Sequence, residues 1–105
     1  MYRETHGEVT TIYWSTQPGK AGTATKYRVY LNELTECSDS THLKNTHQLT
    51  DGAYETRIDI KLNYATCYNV YVQPWLGNSS WGRQSYSQPF SISKFAYNPV
   101  QSLST

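Results

Sequence analysis

Leu62 and Tyr68 stand six residues apart in Leu62-Asn63-Tyr64-Ala65-Thr66-Cys67-Tyr68, and Tyr68 opens a run that continues through Asn69-Val70-Tyr71-Val72-Gln73. Side chains of a strand alternate between its two faces, so Tyr68, Val70 and Val72 share one face of that run. A large apolar residue, a six-residue step and a Tyr at the start of a strand is how a β-sandwich turns its corner. The ring packs over the core while the hydroxyl bonds to backbone a few residues upstream. The spacing predicts one core holding Leu62, Tyr68 and Val70. It also points to a binding or spacing module, whose working surface leaves little trace in sequence.

Alternation recurs along the chain and no helical period persists. In 9–14, Ile12 and Trp14 point one way and Tyr13 the other. In 26–32, Tyr27, Val29 and Leu31 alternate with Arg28, Tyr30 and Asn32. In 53–62, Tyr54, Thr56, Ile58, Ile60 and Leu62 alternate with Glu55, Arg57, Asp59 and Lys61, which reads as one half-buried antiparallel strand. Pro18-Gly19-Lys20-Ala21-Gly22, Thr50-Asp51-Gly52 and Leu76-Gly77-Asn78-Ser79-Ser80 read as turns. Short strands with turn signals between them predict an all-β sandwich or barrel. Residues 1–94 read as one domain. From 95 to 105 the alternation is lost, and the segment reads as a linker or frayed tail.

Composition narrows the function. The 105 residues include ten Tyr, and only 16% are charged, for a net charge of +1. That balance provides no field for steering toward nucleic acid or an acidic membrane, and the nine basic residues are scattered among eight acidic ones. No apolar run approaches the length of a membrane span, so no direct membrane insertion is expected. Met1 is followed at once by polar sequence without the plan of a signal peptide, so any secretion segment is expected to lie outside these residues.

In this frame the sequence resembles a fibronectin type III domain over roughly residues 7–93. Such domains carry a Trp late in strand B, matched by Trp14 in Ile12-Tyr13-Trp14. Their strand C has alternating aromatic and aliphatic residues, matched by Tyr27-Arg28-Val29-Tyr30-Leu31. Leu62 and Tyr68 match the corner before strand F, and Ser85-Tyr86-Ser87-Gln88-Pro89-Phe90 matches a Ser/Pro-rich strand G. The family's usual Pro two residues after the corner Leu is replaced by Tyr64. The resemblance implies a seven-stranded antiparallel β-sandwich of immunoglobulin-like topology, with a core at Trp14, Tyr27, Val29, Leu62, Tyr68 and Val70. It implies an extracellular, non-catalytic spacer or protein-binding module of a larger cell-surface receptor or adhesion protein, without cofactor or metal and monomeric in isolation. Another immunoglobulin-type sandwich is the nearest alternative fold, although the Cys…Trp…Cys order is absent because Trp14 precedes both cysteines.

In the topology so inferred, Cys37 falls in the connection after strand C and Cys67 at the turn before strand F, both at one pole. Inward residues are odd-numbered on strand C and even-numbered on strand F, so a Cys37–Cys67 bridge requires an irregular connection. Two free thiols of a reducing compartment are the alternative. Asn78-Ser79-Ser80 is an N-glycosylation acceptor triplet.

Trp81-Gly82-Arg83-Gln84-Ser85 is similar to the Trp-Ser-x-Trp-Ser box of haematopoietic cytokine receptors, in which Arg from strand F stacks between the Trp rings. Here Gln84 replaces the second Trp, and the outward strand-F residues Asn69, Tyr71 and Gln73 include no Arg, so that ladder is not expected. A long loop from about Trp75 to Gln84 is expected to project, with Trp81 and Arg83 as contact residues and Trp75 folded over the sheet edge. Arg28, Tyr30 and Tyr71 on the outer sheet face form a competing partner surface. Two further functions follow from the aromatic content. One is an accessory carbohydrate-binding module of a secreted enzyme; the other is a cytokine-receptor-type ligand-binding domain with a degenerate box. The histidines His6, His42 and His47 have no ligand spacing, and no Ser sits in a nucleophile elbow.

Overall fold

A computed structural model describes residues 1–19, 22–38, 41–77, 79–93 and 98–102, the last five as backbone. Their strands are β1 (Tyr2–His6), β2 (Val9–Tyr13), β3 (Pro18–Gly19), β4 (Gly22–Thr23), β5 (Tyr27–Leu34), β6 (Leu43–Ala53), β7 (Arg57–Lys61), β8 (Cys67–Gly77), β9 (Ser80–Trp81), β10 (Ser85–Tyr86) and β11 (Asn98–Ser102). A four-stranded sheet runs β11-β1-β2-β7. A five-stranded sheet runs β10-β8-β5-β6, with β9 paired to β8, and β3 with β4 form a separate hairpin. All pairings in the two larger sheets are antiparallel. Ile12 and Ile60 from one sheet meet Tyr27, Val29, Leu31, Tyr68, Val70 and Val72 from the other in one buried cluster that also contains Trp14 and Leu62. Two antiparallel sheets over a shared apolar layer are consistent with a β-sandwich.

The alternation expected on β2, β5 and β8 is present in part, since Asn32, Asn69 and Gln73, expected on the outer face, are buried as well. Ile12, Trp14, Tyr27, Val29, Leu31, Tyr68, Val70 and Val72 are buried, while Tyr13, Arg28, Tyr30 and Tyr71 are half-buried on the other faces. The corner also closes: the Asn63 N–H donates to the Tyr68 hydroxyl at 3.1 Å. The hydroxyl is therefore the acceptor, and Tyr68→Phe strands a backbone donor. Because Asn63 is exposed and water can replace the lost acceptor, the expected cost is about 1 kcal/mol, measurable by denaturant unfolding.

Three expectations need correction. The run 53–62 is not one strand. Tyr54 is 76% exposed, the chain bends at 55–56, and β7 begins only at Arg57. The chain must pass here from the five-stranded to the four-stranded sheet, and the Thr56 carbonyl caps this crossing by accepting from Trp14 N–H at 3.0 Å. Second, Thr50-Asp51-Gly52 lies inside β6 rather than in a turn. Its register against β5 shifts between Tyr27 and Val29 and again between Val29 and Tyr30, as β-bulges do. Third, 98–102 is not a tail, since its backbone pairs with β1. With β9 and β11 added, the strands exceed the seven expected.

Candidate functional site: a cation–aromatic ladder on the outer sheet face

In the register of β5 against β8, Arg28 stands opposite Gln73, Tyr30 opposite Tyr71, and the buried Asn32 and Leu34 opposite Asn69 and Cys67. Tyr86 of β10 stands beside Tyr71. At this spacing cross-strand side chains touch. The Tyr30 and Tyr71 rings stack at 4.7 Å with an interplanar angle of 14°, and Tyr86 tilts against Tyr71 at 5.0 Å.

The row continues toward the β8–β9 turn. Arg28 Cζ sits 5.6 Å from the Tyr30 ring centre and 4.7 Å from that of Trp81. Lys26 Nζ lies 4.9 Å from the Trp75 ring centre and 5.7 Å from that of Trp81. Trp75 and Trp81 meet edge to face at 4.9 Å. The outcome is a continuous series of rings and cations in the order Trp75, Lys26, Trp81, Arg28, Tyr30, Tyr71, Tyr86. Each cation over a ring contributes about 0.5 to 1 kcal/mol at such half-exposed positions.

A ladder therefore forms where none was expected. The cations come from Lys26 and from β5 rather than from the strand that carries Asn69, Tyr71 and Gln73. The geometry also changes the projecting loop. β8 extends to Gly77 and β9 returns at Ser80, so 75–81 is a tight hairpin that folds back on the sheet. Gly77 and Ser79 take positive φ values of 89° and 58° to make that turn. Gly82 follows at a close approach: its N–H donates to the Pro74 carbonyl at 2.8 Å, and an added Cβ would lie 2.8 Å from Pro74 Cγ. Gln73 locks the return, donating from Nε2 to the Gly82 carbonyl at 2.9 Å while its Oε1 accepts from Arg28 Nε at 2.7 Å. Trp75 and Trp81 are half-buried as a result, and Arg83 is exposed just beyond. Asn78 lies outside the described residues, so its acceptor triplet is not placed.

The sequence pointed to Trp75, Trp81, Arg28, Tyr30 and Tyr71 as contact residues; it placed Gln73 outward without a role, and did not mark Lys26 or Tyr86 as members of this row. Lys26 was legible, because it has the same parity as Arg28 and Tyr30 once the strand's face is carried back one step. Gln73 and Tyr86 depend on which strand ends meet, and no spacing carries that.

No known family model and no curated protein matches this sequence. The site has to be read from its own chemistry. Burial raises the Tyr71 pKa above the ordinary 10.0, with the neighbouring Tyr30 and Tyr86 acting the same way and Arg28 opposing them. A folded pKa above the unfolded one means that the stability from this proton is fully present below about pH 10 and is lost as pH rises through the raised value. Tyrosinate absorbance during alkaline titration should show Tyr71 ionising above the ordinary tyrosine value, and Arg28→Gln should push it further up because Arg28 opposes the rise. Elsewhere, Arg57 with Asp59 at 3.7 Å and Lys61 with Glu8 at 3.6 Å are exposed surface pairs of the other sheet. Among the described residues, no three His, Cys, Asp or Glu cluster as a metal group, and no helix is long and apolar enough to cross a membrane.

Proposed function

We propose that this chain is a non-catalytic protein-binding or spacer module of a larger extracellular protein, with fibronectin type III-like topology. The observation that carries the reading is the ladder itself: Trp75, Trp81, Tyr30, Tyr71 and two cations gathered on one outer sheet face. Aromatic residues and Arg are the side chains most enriched at protein interfaces, where rigid rings contribute contact area at low entropy cost. The strand order supports the topology. The β1-β2-β7 and β10-β8-β5-β6 sets follow the arrangement that the resemblance implies, with β9 and β11 as additions. The Cys37–Cys67 bridge is compatible with an extracellular location.

The test uses the module within its parent chain, with a photo-crosslinking residue at the exposed Arg83 position. Adducts to a defined protein or neighbouring domain, identified by mass spectrometry, are the expected result. A glycan array is the counter-experiment. Strong binding to neutral oligosaccharides would favour the accessory module of a carbohydrate-active enzyme instead.

A further inference from the structure

Apart from Tyr86, which is 40% exposed, the ladder's rings are covered by one another or by the cations. Tyr30 and Tyr71 cover each other, Tyr86 covers Tyr71, and Arg28 and Lys26 lie over Tyr30, Trp75 and Trp81. Sugar binding by stacking needs open ring faces, so this surface is poorly suited to it. What the row presents outward is ring edges, phenol hydroxyls and the two cations.

The charge on this face is one-sided. Neither Lys26 nor Arg28 makes an ion pair with a carboxylate among the described residues. The only hydrogen bond from the Arg28 side chain there is Nε to Gln73, which leaves the terminal N–H groups of the guanidinium fork as donors. Of the carboxylates on this sheet, Glu33 of β5 accepts from Asn45 Nδ2 at 3.0 Å and Asp51 of β6 is exposed, and neither pairs with Lys26 or Arg28 among the described residues. Arg83, just beyond the hairpin, is a third, exposed cation. Two cations of a chain with near-balanced charge therefore stand in this row without a carboxylate partner among the described residues.

We propose that this face docks an acidic protein segment, whose carboxylates meet Lys26 and Arg28, with Arg83 at the adjoining turn, while its backbone carbonyls accept from the Tyr30 and Tyr71 hydroxyls; the Tyr86 hydroxyl already donates to Gln84 Oε1 at 2.7 Å. This rests on the protein-binding reading above and names the partner's chemistry. Charge complementarity selects the occupant. The rings hold both cations in place, so few rotamers are lost on binding, and an Arg held this way suits bidentate capture of a carboxylate.

The test is an NMR titration of the oxidised protein with a capped Glu-rich peptide, and separately with the same peptide carrying Gln for Glu. The Glu peptide should shift the amides of Lys26, Arg28, Tyr30 and Tyr71 and the Trp81 indole N–H, with affinity falling steeply as ionic strength rises. Arg28→Gln and Lys26→Gln should each weaken binding about tenfold, and Lys61→Gln on the other sheet should not. Both ladder variants are checked for an intact amide spectrum; if Arg28→Gln perturbs the fold, the Lys26→Gln and Arg83→Gln results decide. Equal binding of the Gln peptide, shifts confined to the other sheet, or no shift at all would overturn the proposal. So would a neutral oligosaccharide or a heparin fragment moving these signals when the Glu peptide does not. If crosslinking from Arg83 finds a protein neighbour while the peptide leaves the ladder unmoved, the module reading stands and this surface falls. If crosslinking also fails, both fall.

Discussion

Trp14→Ala is expected to cost about 3 to 5 kcal/mol and lower the melting temperature by on the order of 20 °C. Trp14 is only 6% exposed and belongs to the cluster that joins the two sheets. Its ring meets Tyr27 edge to face at 5.6 Å, and its backbone N–H bonds Thr56 at the crossing into β7. Truncation would leave a cavity bounded by elements tied from several directions, including Tyr27, whose hydroxyl accepts from Gln17 N–H at 3.0 Å. Such walls relax poorly, which puts the cost near the top of the range for core truncations. One term works the other way: the indole Nε1 is buried with no hydrogen-bond partner among the described residues, so removing it relieves a desolvated donor. Trp14→Phe separates the two effects. It keeps an aromatic ring and deletes that donor, and it should cost about 1 kcal/mol, within reach of denaturant melts. Equal losses for Ala and Phe would mean that the indole's second ring, not general burial, carries the packing.

How far this fold was legible follows the same physics. β2, β5 and β8 have one face on the core, so selection for burial wrote period two into Ile12-Trp14, Tyr27-Val29-Leu31 and Tyr68-Val70-Val72. β6 was illegible because it is bonded to β5 on one side only and its residues are exposed or half-buried, with only Leu49 and Ala53 packed against the core, too few to show a period. Its bulges further scramble the period. Tyr54 misled for the opposite reason: its number fits the alternation of 56–62 although its side chain is in solvent. The ladder was half legible. Trp75, Trp81, Tyr30 and Tyr71 draw the eye as aromatic residues at outward positions, yet what joins them is Arg28 and Lys26 crossing from the neighbouring strand. That depends on the register Arg28 opposite Gln73, which a single strand's pattern does not contain.

Reduction of Cys37–Cys67 is expected to cost about 3 to 4 kcal/mol while leaving the same fold. The bond spans 30 residues of sequence, and in the chain-entropy model a closed loop of that length removes freedom chiefly from the unfolded chain. Its formation resolves the parity conflict between the two strands. β5 ends at Leu34, directly opposite Cys67, and Cys37 lies three residues on in a turn, where strand parity no longer applies. Among the described residues, Thr35 also ties the connection back to β6: its N–H donates to the His42 carbonyl at 3.1 Å and its hydroxyl donates to the same oxygen at 3.3 Å. Loss of the bridge should therefore loosen 35–42 and the start of β6 first. The core cluster contains neither cysteine, which is why the reduced protein should still fold. Mass spectrometry of unreduced, alkylated protein should show no free thiol, and amide exchange after reduction should quicken at 35–46 before it does in β2, β5 or β8. Unchanged exchange and an unchanged melting temperature would show that the bridge only decorates a connection already fixed by β6. Global unfolding on reduction would place it instead among the contacts on which the two-sheet core depends.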